Sequence, residues 1–263
     1  GPTTCPAAPP RPTPPFSTVL FMTKNVAHRG FSSHYPENTM LAFEHAVAAG
    51  CDGIELDVQL SKDGQVVIIH DEMVDRTTDG TGLVRDYTLE ELQKFNAAAK
   101  FASPCQPQHI PTLREYFEFM KDKPQFTNIE LKNGIFVYPQ LEEKVLELIQ
   151  EFKLEDRTAF SSFNHYSMVK CKKLAPHIPT GLLTSSWIVD AGAYGQKLGA
   201  DYINAQYCSF TPENIQEIED HGLGCNAWTV NREEDLRRLI AAGITSVITN
   251  FPDLAGKILK EQQ

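Results

Sequence analysis

The chain has no CxxC pair and no zinc-finger spacing. Its six cysteines, Cys5, Cys51, Cys105, Cys171, Cys208 and Cys225, are scattered over 263 residues. A chain of this length buries a core without a disulfide framework, so free thiols in a reducing compartment, and with them a cytoplasmic location, are the expectation. No run reaches the ~18 apolar residues of a membrane-spanning helix. Basic residues are in short supply: 24 Lys and Arg stand against 34 Asp and Glu, a net charge of −10. Such a chain is a poor candidate for coating nucleic acid or an anionic membrane. At face value the charge also disfavours an anionic substrate. No GxGxxG follows a strand-like run, which removes the main support for a dinucleotide fold. The remaining composition is globular: with 41% hydrophobic and 22% charged residues, neither a disordered nor a collagen-like chain fits.

Residues 1–22 stand apart. Gly1 to Phe16 holds seven prolines and a single basic residue, Arg11. It lacks the charged start and apolar middle of a signal peptide. The expectation is a natural start near Met22, preceded by an expression remnant or an unstructured extension, with one catalytic domain over 23–263.

Beyond the leader a repeat emerges. Phe43–Asp57, Tyr194–Ala205 and Leu239–Asn250 each run from a helical pattern through a Gly-containing cap into a β-rich stretch. Glycine supplies the left-handed helix cap, and the strand follows at once. Eight such units are legible. Strands are expected near 25–28, 52–58, 126–131, 157–161, 179–183, 201–204, 224–229 and 245–249. Helices are expected near 38–49, 112–122, 139–152, 164–175, 187–198, 212–221, 231–242 and 253–261. Thr112-x-x-Glu115 reads as a capping box. Eight uninterrupted alternations predict a (βα)8 TIM barrel, with an open doubly wound sheet as the alternative.

One run breaks the alternation. Val66–His70 arrives too soon after Leu60 for a parallel crossover, so it must pair antiparallel with the preceding strand. Folding about Asp63–Gly64 would set Asp57 opposite His70. An insertion of about 71–110, with a short helix capped by Thr88-x-x-Glu91, follows this hairpin.

Barrel enzymes work at the C-terminal ends of their strands. The first strand ends in His28-Arg29-Gly30. The second carries Glu55 and Asp57, whose i, i+2 spacing puts both on one face. The hairpin returns His70-Asp71, and the next strand carries Glu130 and Lys132. Three inward carboxylates would repel one another unless they bind a cation, and oxygen-only ligands suit Mg²⁺ or Ca²⁺. A solvated strand edge is the bland alternative, and Ile54, Leu56 and Val58 argue against it. His28 and His70 suit proton transfer near neutral pH. Arg29 and Lys132 can hold a phosphate.

These residues resemble the glycerophosphodiester phosphodiesterases. The match runs through Ala27-His28-Arg29-Gly30, Pro36-Glu37-Asn38-Thr39, Gly53-Ile54-Glu55-Leu56-Asp57-Val58, Lys62-Asp63-Gly64, His70-Asp71, Asp75-Arg76-Thr77-Thr78, Ile110-Pro111-Thr112-Leu113 and Ile129-Glu130-Leu131-Lys132. Weaker matches follow at Ser161-Ser162-Phe163, Trp228-Thr229-Val230-Asn231 and Ile248-Thr249-Asn250. Asn250 departs from the pattern, since Asp is common there.

The resemblance implies a TIM barrel that hydrolyses glycerophosphodiesters, such as glycerophosphocholine, to sn-glycerol 3-phosphate and an alcohol. It implies one divalent metal on Glu55, Asp57 and Glu130, an acid–base pair of His28 and His70, and phosphate contacts from Arg29 and Lys132. Phe163 and Trp228 either pack the glycerol carbons or fill the barrel interior. The implied partner is a small molecule, not nucleic acid. Two alternatives stand beside this. One is a lysophospholipase D or sphingomyelinase D acting on lipid headgroups, although the sequence marks no apolar channel or interfacial helix. The other is a catalytically silent barrel that binds a phosphodiester. With the ion bound, the three carboxylates, Arg29 and Lys132 leave the site at +1; without it, at −1.

Overall fold

The computed structural model describes residues 22–263, and the proline-rich leader lies outside them. Eight parallel strands close a barrel: β1 (Lys24–His28), β2 (Gly53–Leu60), β4 (Phe126–Leu131), β5 (Thr158–Ser162), β6 (Thr180–Thr184), β7 (Tyr202–Gln206), β8 (Gly224–Trp228) and β9 (Ser246–Thr249). Closure is direct, because β1 pairs with both β2 and β9. The helices between them are α1 (Met40–Ala48), α3 (Leu113–Met120), α4 (Leu141–Glu151), α5 (His165–Leu174), α6 (Ala191–Leu198), α7 (Pro212–Asp220), α8 (Glu233–Ala241) and α9 (Pro252–Glu261). This is the TIM barrel that the alternation predicts. The ring of helices buries the main apolar core against the outer face of the strands, with Ile54, Leu56 and Val58 fully buried in it.

Inside the barrel, amides replace the branched aliphatic layers that usually fill it. Ser161 Oγ donates to Asn128 Oδ1 at 2.8 Å, Asn226 Nδ2 to Asn204 Oδ1 at 3.0 Å, and Ser246 Oγ to Asn226 Oδ1 at 2.6 Å. Buried polar groups persist only when paired in this way.

β2 is the longest strand and outruns its neighbours. Its first residues pair with β1 along one edge, and its last three pair along that same edge with β3 (Val66–Ile68), antiparallel. The register corrects the sequence expectation. Val58 faces Ile68 and Leu60 faces Val66, so Asp57 is not opposite His70. The reason lies in the turn: Ser61 N donates to Gln65 O at 2.9 Å, and Gly64 takes φ +78°. A three-residue loop with a left-handed glycine replaces the two-residue turn and moves the pairing by one residue.

The insertion leaves β3 and returns at Pro111, whose carbonyl accepts from Ile68 N at 2.9 Å. It has a small core of its own, in which Val67 and Ile69 pack with Val74, Val84, Leu92 and Ile110. Its short helix α2 (Leu89–Leu92) carries the full Thr88–Glu91 capping box. The Thr112 box is only half formed. Glu115 N donates to Thr112 Oγ1, but the Glu115 carboxylate turns to His109 Nε2 at 2.6 Å instead of closing the box. Helix α6 begins at Ala191, four residues later than expected, because Asp190 sits at φ +57° and interrupts the helical path.

Gly30, directly after the His28-Arg29 pair, takes φ +84°, and a Cβ there would lie 2.8 Å from the Ala42 backbone. Strain and overlap combine, so Gly30→Ala should cost about 2–4 kcal/mol of stability. A urea midpoint equal to that of the parent protein would contradict this.

Candidate active site

Glu55 and Asp57 project from one face of β2, and Glu130 lies on β4 in register with Asp57. Their carboxylates come within 4.8 Å of one another, and all three are buried. Burial and the neighbouring charges of Asp57 and Glu130 push the Glu55 carboxyl well above its usual range. Burial and Asp57 push Glu130 up to about 8. Asp57 goes the other way: burial alone would raise it, but Arg29, His70 and the Asn38 amide hold it below the ordinary carboxylate value.

Arg29 sits at the centre of that compensation. It adopts φ +57°, a strained conformation for a side-chain-bearing residue, and Asn38 adopts φ +55°. These turns place Arg29 Nε 3.6 Å from Asp57 Oδ2 and bring Asn38 Nδ2 to donate to the same oxygen at 3.0 Å. On the other flank, Lys132 Nζ stands 3.7 Å from Glu130 Oε2. Asp57 Oδ1 remains buried without a hydrogen-bond partner. A buried, unpaired oxygen beside two carboxyls that hold their protons more tightly than usual is what a cation would satisfy, so the donor set fits an oxygen-liganded divalent ion.

The hairpin geometry explains how the two histidines meet. β1 ends at His28, which is in register with Glu55. β3 runs down the same edge of β2 from the opposite direction, and Ile69 N donates to Asp57 O at 3.0 Å. The two chain segments therefore point at each other across Leu56. His28 Nδ1 is 2.7 Å from Asn250 Oδ1, and His70 Nδ1 is 2.7 Å from Asp71 Oδ1. In both rings a neutral imidazole donates through Nδ1, which leaves Nε2 free to accept a proton. Burial and the nearby Arg29 charge lower His28 to about 4.

His28, Arg29, Glu55, His70, Glu130, Phe163 and Trp228 line one cavity of about 80 Å³. Asp57 lies beneath it, fully buried. Lys132 lines an adjoining groove, which shares Glu130 and Phe163 with the cavity. Phe163 and Trp228 meet edge to face with ring centroids 5.8 Å apart. Phe163 is 45% exposed, so it forms a wall of the mouth rather than interior packing.

Several residues that sequence reasoning left without a role complete the arrangement. Glu37 accepts from Arg29 at 2.8 Å and from Arg76 at 2.7 and 3.0 Å. Arg76 also donates to both oxygens of Asp71, at 2.8 and 3.1 Å. One chain of ion pairs thus runs from Arg29 through Glu37, Arg76 and Asp71 to His70. Glu37, Asp71 and Arg76 lie in the matched motifs, but their spacing in sequence shows no contact. Gln59 could have been found by extending the alternation of 55 and 57 by one step. Its Nε2 donates to the carbonyls of Ile69, His70 and Asp71, and its Oε1 accepts from Tyr138. The sum of −1 expected without the ion counts only five of the charged groups, and Glu37, Asp71 and Arg76 also belong to the site.

Comparison with known proteins agrees with this geometry. Residues 28–254 match the model of the glycerophosphoryl diester phosphodiesterase family. A glycerophosphodiester phosphodiesterase of Caldanaerobacter subterraneus is 46% identical over 228 residues, covering 87% of this chain and 94% of its own. One from Bacillus altitudinis is 43% identical over 245 residues, covering 92% and 100%. Among solved structures, an Oleispira antarctica phosphodiesterase in complex with the product sn-glycerol-3-phosphate superposes with a TM-score of 0.84. It is 28% identical and covers 91% of this chain and 98% of its own.

The raised carboxyls have a thermodynamic consequence. A carboxyl raised in the folded state binds its proton more tightly there than in the unfolded chain, so folding stability falls as pH rises from about 4.5 towards about 8. A bound cation must displace that proton, so its affinity rises over the same interval. The metal-free protein should therefore melt lower at pH 8 than at pH 6, and added Mg²⁺ or Ca²⁺ should raise the melting temperature more at pH 8. A thermal scan in which the cation effect is equal at both pH values would contradict the assignment.

Proposed function

Because the chain belongs to the glycerophosphoryl diester phosphodiesterase family, we propose that its barrel mouth hydrolyses glycerophosphodiesters to sn-glycerol 3-phosphate and an alcohol. The observation that carries this reading is the convergence of a buried carboxylate trio, Arg29, His28 and His70 around one cavity, with Lys132 in the groove that adjoins it. Glu55, Asp57 and Glu130 would hold a single divalent ion, Mg²⁺ or Ca²⁺. When bound, such an ion acts as a Lewis acid on a phosphoryl oxygen.

The chain's own residues supply the rest. Arg29 and Lys132 flank the carboxylates and share the negative charge that builds on phosphorus in the transition state. One histidine takes the proton of the nucleophile, either water or a glycerol hydroxyl, at its free Nε2. The other delivers a proton to the departing alkoxide. Both rings are held through Nδ1, so neither spends time finding its orientation. Phe163 and Trp228 offer apolar walls for the glycerol carbons. The acidity of the chain is no obstacle to a small phosphodiester once the ion is in place. We place the enzyme in the cytoplasm, where its free thiols Cys51, Cys105, Cys171, Cys208 and Cys225 would stay reduced. No helix among the described residues is long and apolar enough to cross a membrane.

Incubation with glycerophosphocholine and Mg²⁺ or Ca²⁺ should release glycerol 3-phosphate and choline, and EDTA should stop it. His28→Ala and His70→Ala should each lower kcat by about 10²–10⁴-fold with the fold retained. Glu55→Ala should abolish both cation binding and turnover. Near-native turnover in all three variants would show that the site lies elsewhere.

A further inference from the structure

Glu142 is buried where a glutamate is usually not. It lies in the first turn of α4, a place that favours a carboxylate facing solvent at the positive end of the helix. Its neighbour Glu143 does so, with its side chain 42% exposed, whereas the Glu142 side chain is 8% exposed. Desolvating a carboxylate is costly even in a pair, and apolar residues of similar volume would serve packing as well. The core alone therefore does not call for a carboxylate here.

Its partners lead to the strand end that carries Lys132. Ser167 Oγ, on α5, donates to Glu142 Oε1 at 2.8 Å. Asn133 Nδ2 donates to the same carboxylate oxygen at 3.3 Å and to Ser167 Oγ at 2.9 Å. Lys170 Nζ closes the outer side, 3.3 Å from Glu142 Oε2. A carboxylate only accepts, so it turns the Asn133 amide with Nδ2 towards itself and Oδ1 away. Asn133 Oδ1 then faces Ser162 Oγ at 3.0 Å, and that hydroxyl also lies 2.9 Å from Leu131 O. Asn164 Nδ2 donates to Asn133 O at 3.1 Å, and Lys132 N donates to Val58 O at 3.1 Å. The carbonyls on both sides of Lys132, and its own N–H, are thus held. Asn133, Ser162 and Ser167 are buried, so water does not compete for these bonds. None of them involves Glu55, Asp57 or Glu130.

We propose that Glu142 is a positioning residue for Lys132: through Ser167 and Asn133 it fixes the backbone from which Lys132 reaches the phosphate. This rests on the phosphodiesterase reading above, which gives Lys132 its phosphate. A lysine carries its charge on a flexible four-carbon stem, so the backbone must supply the aim. Ser162 and Asn164 also bracket Phe163, so one cluster sets the spacing between the cation of the groove and the aromatic wall of the mouth. Without the carboxylate the Asn133 amide is free to turn over. The end of β4 then loses its anchor, while the carboxylate floor keeps its own partners.

The test pairs Glu142 with Lys132. Glu142→Ala should lower kcat/KM for glycerophosphocholine about tenfold, a coupling usual for groups in one hydrogen-bond network. Glu142→Gln should return it to within about threefold of the parent protein, because the amide oxygen accepts the same two hydrogen bonds. Calorimetry with sn-glycerol 3-phosphate and the activating cation, on the parent, Glu142→Ala, Lys132→Ala and the double variant, completes a cycle. Glu142→Ala should weaken binding about fivefold in the parent and less than about twofold in the Lys132→Ala background. Equal weakening in both backgrounds shows a structural role alone and overturns the proposal, as does parent-like turnover in Glu142→Ala. If Glu142→Ala does not fold, Ser167→Ala, which removes the hydroxyl shared by Asn133 and Glu142, enters the same cycle with the same expectations. A parent protein that releases no glycerol 3-phosphate overturns the phosphodiesterase reading, and the binding cycle still decides whether Glu142 acts through Lys132.

Discussion

Three carboxylates share one buried floor, and no packing energy compensates for that. Placing a charge in such surroundings costs several kcal/mol per ion unless partners recover it. The protein recovers it unequally. Asp57 receives Arg29 and Asn38, both held in left-handed conformations that the fold must enforce. Glu55 and Glu130 receive too little, and their carboxyls rise accordingly. The floor is electrostatically incomplete without a cation. The strained turn after β1, the cation just after β4 and the unpaired oxygen of Asp57 are all explained by that one constraint.

The same constraint reaches into the insertion. Glu37 joins Arg29, which serves the floor, to Arg76, which serves Asp71 and through it His70. A segment with its own small core thereby positions a ring at the mouth. Gln59 does the equivalent work from below, since one buried amide holds three successive carbonyls of the returning hairpin. The two histidines differ in their support. His70 leans on a carboxylate, whereas His28 leans on the neutral Asn250, which Ser32 also binds at 3.1 Å. One partner is an anion and the other a neutral amide, so the two rings sit in chemically unequal surroundings before any substrate arrives.

Much of this was legible in the sequence because it follows from periodicity. The i, i+2 spacing placed Glu55 and Asp57 on one face, and the repeated helix–glycine–strand pattern placed the barrel strands within a residue or two of those observed. Local turn geometry was less legible. The choice between a two-residue and a three-residue loop at Asp63–Gly64 changes the pairing of Asp57, and nothing in the composition distinguishes them. Contacts between distant segments were not legible at all. Glu37 and Arg76 are far apart in the chain, and only the folded insertion brings them within 2.7 Å. The late start of α6 depends on the backbone of one residue, Asp190, which a hydropathy pattern does not report.

The central claim is that the buried carboxylate floor is a cation site. Crystals of the protein soaked in Mn²⁺, measured at the manganese absorption edge, test it most directly. A single anomalous peak bridging Glu55, Asp57 and Glu130, with oxygens at about 2.0–2.6 Å, is the predicted result. A floor with no peak, its carboxyls hydrogen-bonded to one another, would contradict the account.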